Sequence, residues 1–156
     1  MHLVRDPLPE ARRRPLVVGV GNPVRGDDAA GLLAARRLGG IELEGDTSTL
    51  VELLTDAPAA IVIDAVRSGA SPGTIHRFEV GDTPLPVKLR SSSSSHLVSV
   101  AEAIELARVL GRLPPAVLVL GIEGSRFDVG APLSDPVVEA IDEIVACARS
   151  ARAGEL

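Results

Sequence analysis

The sequence predicts an α/β fold: a three-layer sandwich in which a twisted, mostly parallel sheet, with one antiparallel strand, is flanked by helices. Continuous apolar runs end near Gly21, Asp64 and Gly121. They lack the alternation of a half-exposed strand and so read as strands buried on both faces. Stretches of helical apolar spacing lie between and after them, which gives the alternation of an α/β sandwich. Between Asp64 and Thr74 there is only a turn segment, Arg67 to Gly73. A parallel crossover needs about a dozen residues, so the next strand must return antiparallel.

The first strand is Leu16-Val17-Val18-Gly19-Val20-Gly21, entered from Pro15 and closed by a glycine turn. From Asp27 to Leu38, the spacing of Ala30, Leu33, Ala34 and Leu38 is helical, with Asp27 or Asp28 as the expected N-cap and Gly39 or Gly40 as the stop. Ile41 to Leu43 reads as a short strand, and Ser48 to Thr55 as a short helix begun by Thr47 or Ser48. Ala59 to Asp64 repeats the opening pattern and is expected to end at its carboxylate. Thr74 to Val80 is the antiparallel strand. Residues 81–95 read as a loop rich in proline and serine, which ends in the run Ser91 to Ser95. The third helix is expected from His96 to Leu110, capped by Ser95, with Leu97, Val100, Ile104 and Ala107 on one face. A strand at Ala116 to Gly121 follows. The last helix begins at Ser134-Asp135-Pro136 and carries a stripe of Val137, Ile141, Ile144, Val145 and Ala148.

At 156 residues the chain fits one core. The expected organisation is a polar arm at 1–14, a single α/β domain at 15–151 and a tail at 152–156. Hydrophobic residues make up 46% and charged residues 24%, the balance of a folded globule. With only Phe78 and Phe127 as aromatics, stacking platforms for nucleic acid are lacking, and a net charge of −5 opposes polyanion binding. No nucleic-acid partner is expected. The one cysteine, Cys147, excludes an internal disulfide framework or a cysteine-rich zinc cluster. The polar N-terminus and the absence of an apolar run of about 18 residues argue against a signal peptide and a membrane span. A cytoplasmic location is expected.

The loop Gly19-Val20-Gly21-Asn22-Pro23-Val24-Arg25-Gly26 joins a strand to a helix but is not a dinucleotide loop. Val24 stands where the third glycine would be needed, and Asp27 and Asp28 would repel a pyrophosphate. It also lacks the Gly-Lys-Ser/Thr ending of a phosphate loop. Paired acids at a helix start read most simply as caps. In a doubly wound sheet, however, loops after strand carboxyl ends converge, which would bring Asp28 and Asp64 together. His96 would supply a third ligand, and a set of two oxygens and a nitrogen suits a zinc- or nickel-like ion better than magnesium. The simpler reading of His96 is a helix-start histidine bonded to a carbonyl. His2 and His76 have no comparable setting. The serines before His96 lack a nucleophile elbow, and Cys147 reads as a core residue, so hydrolysis here would be metal-assisted.

The stretch Val18-Gly19-Val20-Gly21-Asn22-Pro23-Val24-Arg25-Gly26-Asp27-Asp28-Ala29-Ala30-Gly31 resembles the opening motif of the hydrogenase maturation proteases. Ile61-Val62-Ile63-Asp64-Ala65-Val66, Pro72-Gly73-Thr74-Ile75, Ser95-His96, Gly121-Ile122-Glu123 and Leu133-Ser134 are similar to later blocks of that family, in the same order. The resemblance implies a twisted sheet sandwiched by helices. It also implies an endopeptidase that trims a C-terminal extension from the large-subunit precursor of a [NiFe] hydrogenase. Carried over by position, Asp28, Asp64 and His96 form the metal-contacting set and act in catalysis through the metal. That metal is nickel carried by the substrate, or zinc or another divalent ion in its place. Gly21 and Asn22 would shape the loop, and Asp27 would cap the helix and orient Asp28. The motifs name no nucleophile. Ala29 stands where many members have glycine, the segment before Asp64 is short, and the serine run is unusual. Two other readings use the same chain: a non-catalytic metal-sensing or chaperone-like protein with these three ligands, and a small-molecule binding domain in which all three are structural.

Overall fold

Five strands and four helices form where the apolar patterns place them in the computed structural model, which describes residues 14–44, 48–81 and 100–152. They are β1 (Leu16–Gly21), α1 (Ala30–Arg37, entered by a 3-10 turn at Gly26–Ala29), β2 (Ile41–Glu44), α2 (Ser48–Leu54) and β3 (Ala60–Val66). Then follow β4 (Ile75–Val80), α3 (Val100–Val109), β5 (Val117–Glu123) and α4 (Asp135–Ser150). The sheet order is β2-β1-β3-β5-β4. β1 runs parallel to β2 and β3, β3 runs parallel to β5, and β4 pairs antiparallel with β5. The expected three-layer α/β sandwich with one antiparallel strand is the observed fold. Because β2 and β3 lie on opposite sides of β1, the chain reverses direction there, and a crevice opens beyond the carboxyl ends of β1 and β3.

Strand pleating sends alternate side chains to opposite faces, and each face is roofed by two helices. Ile61, Ile63, Leu118, Leu120 and Ile122 meet the alanines of α1 and the stripe of α4. Val18, Val20, Val62 and Val119 meet Leu50 and Leu54 of α2 and Val100, Ile104 and Ala107 of α3. Full burial of each large aliphatic side chain contributes about 1.5–3 kcal/mol before the entropy of ordering it. In a chain nearly without aromatics, many such contributions replace a few large ones. Val137, Ile141, Ile144, Val145 and Ala148 are all buried, as the stripe requires.

Several ends differ from the sequence expectation. β3 does not stop at Asp64: Ala65 and Val66 continue the ladder opposite Ile122 and Glu123. β5 likewise runs two residues past Gly121, because each strand supplies the other's partner. Neither Asp27 nor Asp28 caps a helix through its side chain. Gly39 does stop α1: at φ 68°, it donates to the Arg36 carbonyl while Gly40 donates to that of Ala35. Ser134 occupies the N-cap position of α4 without a side-chain capping bond. Residues 1–13 of the arm, the loop from 82, Ser95, His96 and the tail from 153 lie outside the described residues.

Candidate active site

The two glycines of β1 serve close packing, since a Cβ on Gly19 would stand 2.0 Å from the Gly31 carbonyl oxygen and one on Gly21 would stand 1.9 Å from that of Asp28. Gly31 itself lies against the Ile63 carbonyl, where a Cβ would come to 2.5 Å. The start of α1 therefore rests directly on the ends of β1 and β3. Asp28 precedes Gly31 by three residues and Asp64 follows Ile63, so both carboxylates occupy the crevice end of the sheet. Asp28 is 4% exposed and Asp64 3%. The Asp64 Oδ1 accepts from the Ala65 amide at 2.8 Å. The loop from β1 to Asp28 is shaped by Asn22, whose side-chain oxygen accepts from the Val24 amide at 3.1 Å and whose carbonyl accepts from that of Arg25. His96, the third expected ligand, lies outside the described residues. Among the described residues, no group of three or more histidine, cysteine or acidic side chains is placed to hold a metal. Each carboxylate is a hard, anionic oxygen donor of the kind that divalent cations take.

Asp27 does something the sequence did not show. Its carboxylate, fully buried, accepts from the amides of Ser125 (2.8 Å), Arg126 (2.9 Å) and Ser134 (2.7 Å). The Ser134 hydroxyl donates to the same group, 2.9 Å from Oδ2. Burial works to raise its pKa, but the bonds from Ser125, Ser134 and Arg126 outweigh it and hold the carboxyl below its ordinary value. The expected helix cap is instead a clasp joining the β1 turn, the loop after β5 and the start of α4. The Ser134 hydroxyl is spent here, which is why α4 has no serine cap.

A second clasp lies at the end of β5. Glu123 accepts from the Ser68 amide at 2.8 Å and from the Ser68 hydroxyl, and His76 Nε2 stands 3.1 Å from its Oε1. Here too burial pushes the pKa up, while the bonds from Ser68 and His76 bring it below the usual carboxylate range. The ionised group only accepts, so Nε2 of His76 carries the proton. This is no nucleophilic triad, because hydroxyl and imidazole both bond to the carboxylate and not to each other. His76 pairs with Gly121, which pairs with Asp64, so the three residues form one row on one face of the sheet. His76 was read as a strand histidine without a setting; only the antiparallel register supplies one.

Beside the β1 turn, a groove of about 290 Å³ is lined largely by Pro23, Ala29, Leu33, Pro132 and Leu133. A larger cavity of about 450 Å³ lies around Arg14, Leu16, Gly40 and Pro58, at the amino end of the sheet and away from Asp28 and Asp64.

The arrangement has known counterparts. The model of the hydrogenase maturation protease family matches residues 44–151. The chain belongs to that family. It is 30% identical over 137 residues to the hydrogenase expression/formation protein HupD of Thiocapsa roseopersicina, a match covering 81% of this chain and 62% of that protein. The chain thus spans less than two thirds of that relative's length. HupD of Rhodobacter capsulatus is 30% identical over 144 residues, covering 85% of this chain and 68% of that one. Among solved structures, the [NiFe] hydrogenase maturation protease HybD of Thermococcus kodakarensis superposes with a TM-score of 0.69 at 25% identity, covering 89% of this chain and 99% of that one. Among the described residues, no helix is long and apolar enough to cross a membrane.

Proposed function

We propose that this protease removes a C-terminal extension from the precursor of a hydrogenase large subunit, with Asp28, Asp64 and His96 engaging nickel already carried by that substrate. The observation that carries the reading is the placement of Asp28 and Asp64, both buried and both at the crevice end of the sheet, in a member of this family. A substrate-borne cation offers two things at such a site: a check that the precursor is loaded, and polarisation of the scissile carbonyl or activation of water. The chain's own work is positioning. The start of α1 fixes Asp28 against the sheet, the Ala65 amide orients Asp64, and the Asp27 clasp holds the turn that carries Asp28. The neighbouring apolar groove has room for an aliphatic side chain of the precursor. Zinc or another divalent ion would satisfy the same oxygen ligands.

The test is incubation of purified protein with nickel-loaded and nickel-free precursor, with the precursor's C-terminus followed by mass spectrometry. Release of one defined peptide is expected with wild type and nickel-loaded precursor only. It should be lost in Asp28→Asn while circular dichroism stays unchanged. A loaded precursor left intact by folded wild type, but retained by it in a pull-down, would favour the non-catalytic metal-sensing reading instead.

A further inference from the structure

Two arginines from separate loops gather on one residue. Arg25, in the β1 loop, donates from Nε to the Phe127 carbonyl at 3.1 Å. Arg67, the first residue after β3, lies over the Phe127 ring with its guanidinium carbon 4.3 Å from the ring centre. The ring is seated by Gly124, where a Cβ would stand 2.6 Å from Cζ, so the platform is fixed by packing. Phe127 is buried, Arg25 half-buried and Arg67 exposed. Arg25 stands three residues before Asp28 and Arg67 three residues after Asp64, which puts both at the crevice end of the sheet.

Neither guanidinium forms an ion pair with a carboxylate among the described residues, although Arg36, Arg37, Arg77 and Arg108 all do. In a chain of net charge −5, acidic partners are plentiful. Two like charges gathered on one residue repel, and that repulsion is relieved when an anion joins them. The Nη donors of Arg25 remain beyond its one bond to Phe127, and a planar guanidinium presents paired N–H groups that match the two oxygens of a carboxylate.

We propose that Arg25 and Arg67, gathered on Phe127, form a binding site for an aspartate or glutamate side chain of the polypeptide substrate. The proposal deepens the protease reading and rests on it for the identity of the substrate. The site fixes the register of the incoming segment by gripping one acidic side chain at the edge of the crevice, while Asp28 and Asp64 face the substrate's cation.

The test uses ¹⁵N-labelled full-length protein titrated with three peptides: Ac-Gly-Gly-Glu-Gly-Gly-NH₂, its Gln counterpart, and Ac-Gly-Gly-Gly-Gly-Gly with a free carboxyl terminus. The arginine Nε–H resonances are the readout. With the Glu peptide, the Arg25 and Arg67 resonances should shift together, and the affinity should fall about fivefold in Arg67→Gln, an exposed position where folding is not at stake. Arg67→Lys should fall between the two. Equal binding of the Gln peptide, unmoved arginine resonances, or undiminished affinity in Arg67→Gln would each overturn the site. Binding of the free-terminus peptide alone would assign the site to a chain end and overturn the side-chain assignment. With precursor as substrate, Arg67→Gln should raise KM and leave kcat near wild type. Normal KM in that variant removes the site and leaves the protease intact, whereas an uncut precursor with the peptide pattern present removes the protease reading and leaves the site.

Discussion

Asp27 and Glu123 are both buried carboxylates at the crevice end of the sheet, both held below their ordinary pKa by donated hydrogen bonds, yet they fasten different things. Asp27 takes amides from two distant segments and a hydroxyl from one of them, and nothing bonded to it is free to titrate. Glu123 takes one exposed loop, through Ser68, and an imidazole, through His76. The first joins pieces of the frame, and the second ties a surface loop to the frame. Removing Asp27 leaves the buried amide and hydroxyl of Ser134 without an acceptor, whereas removing Glu123 leaves the donors of an exposed serine to water.

That difference sets the expected sizes. Asp27→Ala should cost about 3–5 kcal/mol of unfolding free energy, since a fully buried ionised acceptor is lost, the buried amide and hydroxyl of Ser134 are left without a partner, and the amides of Ser125 and Arg126 lose theirs. Chemical denaturation of the variant measures it, and a loss under about 1 kcal/mol would show that water replaces the clasp. Gly21→Ala attacks the same frame sterically. Its Cβ would meet the Asp28 carbonyl oxygen, so a loss of about 2–3 kcal/mol is expected by chemical denaturation as the start of α1 is pushed off the sheet, and under the proposed function the precursor would be left uncut. Glu123→Ala should cost less, about 1–2 kcal/mol, with faster amide exchange at Ser68 and the residues around it and no change near Ser134. Equal protection loss in both places would erase the distinction between the two clasps.

What the sequence made legible follows the range of the interactions. The strands could be read because an apolar run reports burial on both faces wherever its neighbours come from, and the antiparallel β4 could be read because a short connection excludes a crossover. Strand ends could not: Ala65 and Val66 belong to β3 only because Ile122 and Glu123 stand opposite. The role of Asp27 was misjudged for the same reason. Its partners, Ser125, Arg126 and Ser134, come about a hundred residues later, whereas a helix cap is the local possibility that spacing suggests. The crevice placement of Asp28 and Asp64 was legible from topology, while His76 acquired a partner only once β4 was set beside β5. The blocks of the resemblance contain Asp27, Glu123 and Ser134, but gave no role to Glu123 or Ser134 in the site. The fold supplies that role, since residues from separate blocks close on one another as clasps.

Acid provides the smallest and most discriminating comparison. A carboxyl whose pKa is lowered on folding adds stability that is complete above its unfolded value, near 3.8 for Asp27 and 4.5 for Glu123, and that is lost as pH falls through the lower folded value. The contribution of the Asp27 carboxylate is therefore lost as pH falls below about 3.8, and that of the Glu123 carboxylate as it falls below about 4.5. Replacing Glu123 by Gln removes one of these two groups from the titration, so the fall in denaturation midpoint between pH 6 and pH 3 should be shallower in Glu123→Gln than in wild type. Ser68→Ala, which keeps the carboxylate and the amide bond but deletes one hydroxyl donor, should lower stability at pH 7 by only about 0.5–1 kcal/mol. It should also reduce the acid dependence slightly, because the folded pKa of Glu123 moves back toward its ordinary value. An acid profile unchanged in both variants would mean that Glu123 adds nothing to the acid sensitivity of the crevice, and the loop clasp would then be a matter of shape and not of charge.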